Sequence, residues 1–220
     1  MVYIYCEGQT EETFVNEVLT PYMFQNASLY FKPVICQTKQ TPQKKYKGGI
    51  VSYLKAKKEI QRLCKEHHNE CVTTMLDFYA FPEDAPGMDK VHEIADIYQR
   101  VEHIESAIFR DIGCDNFIPN LLLHEFEALL FVKPELLAQY YQKQKGCIDC
   151  LVAARKEVAT PEHIDLGKKT APSKRILSAI PEYDKIVAGT AISLDIGMDS
   201  IIKECKHFAA WINKLCLLKE

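Results

Sequence analysis

Three short apolar runs in this chain each stop at a carboxylate. Val2–Cys6 is followed by Glu7, Cys71–Asp77 carries its acid as the last residue, and Phe117–Leu123 passes through His124 into Glu125. Runs of this length and composition read as strands, and the segments between them show helical spacing. Phe14, Val15, Val18 and Leu19 follow the first run at that spacing, and Ile50, Tyr53, Leu54, Ile60 and Leu63 supply the apolar side of a helix over 49–67. Strands alternating with helices predict an α/β fold built on a parallel sheet. In such sheets the carboxyl ends of the strands open into the ligand crevice, so Glu7, Asp77 and Glu125 are expected to meet there.

Local signals refine this outline. Thr10 is the expected N-cap of the first helix, with Glu11 and Glu12 in its first turn, where the helix dipole favours negative charge. Leu29–Cys36 reads as a second strand, and Pro33, which has no ladder donor, assigns it to a sheet edge or a bulge. Residues 80–88 hold two prolines and a glycine and form a loop, followed by a helix of about 20 residues ending near Arg110. The fourth strand is expected over Phe117–Leu123 despite Pro119. Beyond Phe131 the strand pattern fades, and helical spacing recurs over 134–143, 147–158, 172–180 and 206–217.

Composition limits the function classes. With 47% apolar residues over 220 positions, the chain can bury a sizeable core. It lacks an apolar run of about 20 residues and a leader-like N-terminus, so a cytoplasmic location is expected. Nine cysteines in a chain of this size are expected to be reduced. Cys147 and Cys150 form a CxxC followed by His163, but Gly167, Lys168 and Lys169 stand where a fourth zinc ligand should fall. The sequence Lys168-Lys169-Thr170 likewise fails as a phosphate loop, because no Ser or Thr directly follows Lys168 and Glu162 replaces the first glycine.

The acids carry the chemistry. Glu7 before Gly8 at a strand-to-helix turn, Asp77 after an apolar run, and Glu125 and Glu127 within LLLHEFEALLF are hard to explain as ordinary surface charge, because buried charge is costly unless it is paired or metal-bound. A set of oxygen ligands suits Mg2+ or Mn2+ better than zinc. Glu125 and Glu127 are two apart, so on a helix only one of them, with Glu125 favoured, would face the crevice. His124 is a candidate proton shuttle whose ordinary alternative is a hydrogen-bonded structural histidine. Lys174 and Arg175 are candidate phosphate contacts, while His207, Phe208 and Trp211 read as packing of the last helix.

The segments CEGQTEETF, LDFYAFPEDAPG, LHEFEALLF, TAPSKRI and CKHFAAW together resemble a bacterial Toprim-like family of unknown function, DUF4276, a cousin of the Toprim nucleases of the overcoming-lysogenization-defect type. The resemblance implies a Toprim/Rossmann-like core over 1–131, with about four mainly parallel strands flanked by helices, and a C-terminal helical appendage over 132–220 packed on it. It implies Glu7 as the first-strand glutamate, Glu11 as its helical companion and Asp77 as the first acid of an Asp-x-Asp. Tyr79 stands where the second acid should be, and Asp84 is the candidate substitute. The implied activity is metal-dependent nuclease action on DNA or RNA, with Glu7, Glu11, Asp77 and Glu125 catalytic and Glu127 an additional metal ligand. An ABC-like ATPase is the implied partner, in a bacterial defence setting. The rival is a non-catalytic subunit that binds an ATPase or nucleic acid; a third reading is nucleotidyl transfer, and a homo-oligomer is compatible with all three.

Charge distribution adds one expectation. From Val18 to Lys58 there is no acid, while Lys32, Lys39, Lys44, Lys45, Lys47, Lys55, Lys57 and Lys58 fall in that interval. If Lys44, Lys45 and Lys47 grip phosphates, changing all three to Ala flattens the log-affinity against log-salt slope for duplex DNA by roughly two to three units and weakens all sequences alike. Binding isotherms at several salt concentrations check this, and an unchanged slope discards the contact.

Overall fold

In the computed structural model, residues 1–36, 52–79, 81–164, 167 and 169–219 are described. The order begins β1 (Val2–Cys6), α1 (Gln9–Phe14), a π-helical turn (Val15–Leu19), α2 (Thr20–Ala27) and β2 (Phe31–Ile35). It continues through α3 (Tyr53–Glu66), β3 (Cys71–Asp77), α4 (Ile97–Ile112), β4 (Phe117–Ile118) and β5 (Leu121–Leu122). The remainder is helical: α5 (Leu137–Tyr140), α6 (Lys145–Lys156), α7 (Pro172–Ala179), α8 (Val187–Ile196), α9 (Met198–Glu204) and α10 (Lys206–Cys216).

The sheet runs β2-β1-β3-β4, with β5 also on β3, and every pairing is parallel. The expected α/β class, the parallel sheet and the flanking helices are all present. Pro33 lies in β2 at the sheet edge, where its missing N–H leaves no gap in an interior ladder. The order places β1 and β3 side by side, with the chain leaving toward β2 on one flank and toward β4 on the other. That is the switch point of an open α/β sheet, where the crevice forms.

Strand alternation divides the core between two faces. Val2, Ile4, Cys6 and Met75 pack with Phe14, Leu19, Phe126 and the C-terminal helices, through residues such as Ile176, Ile192, Phe208 and Trp211. Tyr3, Tyr5, Val72 and Leu76 pack on the other face with α3 and α4, through Tyr53, Ile60, Ile104 and Ile108. The C-terminal helices are thus one covering layer of the sheet. The Trp211 indole donates to Thr73 Oγ1 at 2.9 Å, and that hydroxyl donates to Ile118 O at 2.6 Å, tying α10 to the sheet from within.

Several local expectations change. The first helix starts at Gln9 with Gly8 as its N-cap, so Thr10 is already helical and buried. Between α1 and α2 the chain widens into a π turn, and Pro21, which has no N–H, cannot donate back to Glu17. Leu54 is exposed, because the buried stripe of α3 runs through Tyr53, Ala56, Ile60 and Leu63; Ile50 lies outside the described residues. In place of one long helix after the 80–88 loop there is a 3-10 turn (Met88–Glu93) and then α4, whose N-cap Asp96 accepts from Gln99 N at 2.9 Å. Helices α8 and α9 had no counterpart among the expected segments. Apolar and polar residues are mixed around α8, which weakens its helical period.

The fourth strand divides into β4 and β5, yet keeps one register on β3 across the break. Pro119 and Asn120 interrupt the ladder, and Thr74 repairs it. Its hydroxyl accepts from Asn120 N at 2.8 Å and donates to Asn120 O at 2.7 Å, while Asn120 Nδ2 donates to Thr74 O at 3.1 Å. Both residues are buried, so their polar groups have no water to turn to. Thr74→Val keeps the shape and leaves Asn120 N and O unmatched. It should cost roughly 2–6 kcal/mol in urea unfolding, from about 1–3 kcal/mol for each of the two orphaned buried groups, whereas Thr13→Val on the half-buried face of α1 should change little.

Candidate metal centre

Glu7 leaves β1 where the chain turns, and its Oε2 accepts from Asp77 N at 3.0 Å, so the first acid caps the end of the neighbouring strand. Asp77 lies at the end of β3, and its Oδ1 accepts from Phe126 N at 2.9 Å. The two strand-end acids thereby fix each other's surroundings: β1 to β3 through Glu7, and β3 to the segment after β5 through Asp77. Glu11 is turned back onto Gly8 N at 2.9 Å, which closes the Glu7-Gly8 turn; this explains how an acid four residues on stays beside the first.

The segment after β5 is bent by His124, which adopts a left-handed φ of 69°. For a histidine this conformation carries a modest strain cost, held here by Tyr79 N donating to His124 O at 2.7 Å. Glu125 is still extended, with φ −146° and ψ 162°, and the 3-10 turn starts only at Phe126. Helical spacing therefore does not apply between Glu125 and Glu127, and both line the crevice rather than one of them alone. Their situations differ. Glu125 Oε2 accepts from Ser173 N at 2.8 Å and its Oε1 from the Ser173 hydroxyl at 2.9 Å, so it holds the start of α7. Glu127 is 1% exposed, and neither of its oxygens has a hydrogen-bond partner among the described residues. Its ion-pair partner among the described residues is Lys185, whose Nζ lies 3.8 Å from Oε1, and the charges of Glu125 and Glu11 act on it as well.

The crevice is open, about 1020 Å³, and is lined by Glu7, Glu11, Glu125 and Glu127 with Lys174 and Lys185 among its walls. Asp77 lies buried beside it. Burial pushes the Glu7 carboxyl up to about 7, opposed by the Asp77 N–H and reinforced by Glu11 and Glu125. Burial likewise pushes Glu127 up to about 7, with Lys185 opposing. Asp77 is raised well above the usual range by burial, then by Glu7 and Glu11. Lys185 is raised despite partial desolvation, because Glu127, Asp77, Glu11 and Glu7 all favour its charged form. Crowded acids that resist ionisation and have one ammonium near them are chemically suited to a hard divalent cation. Among the described residues, no three acid, histidine or cysteine side chains already converge on one point as a ligand set. The acids share a crevice, and closing on an ion requires side-chain rotation.

Other candidates fall elsewhere. Tyr79, in the position of the second Asp-x-Asp acid, lines a separate pocket with Phe78, Phe81 and His92. Asp84 does not substitute: its carboxylate caps α3, accepting from Tyr53 N at 3.1 Å and Ser52 Oγ at 3.3 Å. Lys174 is on the crevice wall, whereas Arg175 Nε donates to Thr170 O at 2.7 Å and braces the turn before α7. Lys39, Lys44, Lys45 and Lys47 lie outside the described residues. Of the other lysines in that interval, Lys57 pairs with Asp111 at 2.7 Å and Lys55 with Glu59 at 3.6 Å. All nine cysteines are free, Cys147 and Cys150 on the exposed side of α6. His207 packs as expected, but its Nε2 also meets Glu105 Oε1 at 2.8 Å in the buried interior. Sequence reasoning passed over Lys185, Tyr183 and Ser173. Ser173 sits inside TAPSKRI, where a small hydroxyl at a helix start was the available signal; a single lysine in a polar loop offers none.

The model of a family described as a domain of unknown function, DUF4276, matches residues 6–216. No curated protein and no solved structure matches the chain.

The raised acids have a stability consequence. A carboxyl with a folded value near 7, above its unfolded value near 4.5, binds more protons folded than unfolded between those limits, so it destabilises the fold as pH rises through that window. Glu127→Gln removes that term. Its stability relative to the parent should rise from pH 5 to pH 7.5, by up to a few kcal/mol at about 1.4 kcal/mol per unit. Urea unfolding of both proteins at the two pH values measures the difference; equal differences would show that Glu127 is not held as a raised acid.

Proposed function

The chain belongs to the DUF4276 family, and on the chemistry of its crevice we propose that it is a Mg2+- or Mn2+-dependent nuclease acting on phosphodiester bonds of DNA or RNA. The observation that carries this reading is Glu127: a carboxylate 1% exposed, with neither oxygen hydrogen-bonded, facing a crevice that already holds Glu7, Glu11 and Glu125. With only the Lys185 ammonium at 3.8 Å to offset it, such a buried group costs free energy that a bound divalent cation would recover.

On this reading Glu7, Asp77 and Glu127 would hold the ion, and Glu125 would join them on giving up one of its two bonds to Ser173. A bound Mg2+ or Mn2+ supplies Lewis-acid polarisation of the phosphoryl group and eases ionisation of water near it. The protein's own groups do the remaining work. Glu11, fastened to Gly8 N, keeps the Glu7 turn rigid and is the candidate base. Asp77, fastened to Phe126 N, sets the distance between the β3 end and Glu127. Lys174 on the crevice wall offsets phosphate charge. The Toprim relationship and pairing with an ABC-like ATPase in bacterial defence are part of the proposal, and rest on the motif resemblance.

One observation favours the rival reading of a non-catalytic subunit that binds an ATPase or nucleic acid. Tyr79 and Asp84 both lie away from the crevice, so no acid fills the second Asp-x-Asp position. A two-ion arrangement of the usual kind therefore lacks one of its ligands.

Asp77→Asn separates the readings. The amide oxygen can still accept from Phe126 N, so the fold should survive, while calorimetric Mn2+ affinity falls about tenfold or more and Mn2+-dependent cleavage of mixed DNA and RNA substrates is lost. Metal binding without cleavage by the parent protein, alone and with its candidate ATPase, would favour the non-catalytic subunit. Unchanged Mn2+ binding in the variant would remove Asp77 from the site.

A further inference from the structure

Among the described residues, Lys185 is the basic residue paired with the acids of the crevice, and its placement is unlike that of Lys174 on the same wall. It precedes α8, whose first turn is fixed by Asp184 Oδ1 accepting from Ile186 N and Val187 N, both at 3.0 Å. The backbone at Lys185 is thus pinned on both sides. Its ammonium reaches toward Glu127 Oε1 but stops at 3.8 Å, beyond ordinary hydrogen-bond length, and the side chain stays 43% exposed at the crevice mouth. The ammonium therefore stands between the buried acids and solvent, held by charge rather than by a directed bond. Tyr183, two residues earlier, brings to the same wall a buried hydroxyl with no hydrogen-bond partner among the described residues.

An anionic diester cannot approach Glu7, Glu11, Glu125 and Glu127 without a positive charge between itself and them. Resting on the metal-dependent reading above, we propose that Lys185 is the phosphoryl anchor of this site. When a divalent cation occupies the carboxylates, the ammonium is no longer held by Glu127 and donates to a non-bridging oxygen of the incoming phosphodiester. The contact is a charge-assisted hydrogen bond with no proton transferred. It makes metal and substrate binding mutually favourable, with the ion entering first, because the free acids otherwise retain the lysine.

The test is calorimetry with two ligands, Mg2+ alone and a dithymidine phosphodiester in Mg2+, on the full chain and on Lys185→Met and Lys185→Arg. Thermal melting confirms that each variant folds. Lys185→Met should bind Mg2+ at least as tightly as the parent, having lost an internal competitor, and bind the dinucleotide at least tenfold more weakly. Lys185→Arg should keep dinucleotide affinity within about threefold. A neutral methylphosphonate version of the dinucleotide should bind the parent and Lys185→Met alike. Equal dinucleotide affinity in the parent and Lys185→Met overturns the anchor and leaves the metal site standing. No Mg2+ binding by the parent, with dinucleotide affinity still dependent on Lys185, keeps the phosphate contact but overturns both the metal reading and the ion-first order.

Discussion

Parallel pairing of β1 with β3 is the constraint on which the rest depends. These strands are adjacent in space but separated in sequence by α1, α2, β2 and α3, and their register brings Cys6 opposite Met75. Glu7 and Asp77, each at a strand end, then meet at the switch point of the sheet. The contact is made directly, since Glu7 Oε2 takes the Asp77 N–H that continued pairing would otherwise have used. The site and the end of the ladder are the same structural event. A chain that mispaired β1 would lose both.

Acids in this protein repeatedly serve backbone donors that lie far away in sequence. Asp84 caps α3, Glu125 caps α7, and Glu162, 3% exposed, accepts from His207 N and Phe208 N at 3.0 Å each to cap α10. Glu105 accepts from Leu121 N at 2.8 Å while meeting His207. A buried carboxylate facing helix-start N–H groups is stabilised by hydrogen bonds and by the helix dipole, so burial alone does not mark a ligand. Partnership separates the cases. Glu162 spends both oxygens on the fold, Glu125 spends both on Ser173 at the crevice wall, and Glu127 spends neither.

The two covering layers are unequal in kind. Helices α3 and α4 form a simple amphipathic cover over Tyr3, Tyr5 and Leu76, with Tyr53 and Lys57 of α3 both reaching Asp111 of α4. The opposite layer is assembled from short pieces, several of them 3-10 turns, that interlock around Phe126, Phe208 and Trp211. Phe14 sits edge-on to both Phe126 and Phe208, so the first helix, the acid-bearing segment and the last helix share one aromatic contact. Such a layer holds Glu127 and Lys185 in place from several directions, although its members are scattered along the chain.

Strand existence, order of elements and the strand-end acids were legible in the sequence because each depends on neighbours within a few residues. Val2–Cys6 and Cys71–Asp77 announce themselves by unbroken apolar composition, and Pro33 announces an edge because it lacks a donor. What each acid does was not legible, because that depends on which backbone donors the fold delivers. Glu11 and Glu127 are equally plain in the sequence, yet one is bonded to Gly8 N and the other has no hydrogen bond among the described residues. The left-handed turn at His124 decided that Glu125 and Glu127 share a crevice, overruling the helical angle that their spacing implied. Lys185 was invisible for the same reason. Sequence by itself determined the sheet and where its charges would emerge; only tertiary packing decided which charges were satisfied, because satisfaction is a property of partners brought from elsewhere in the chain.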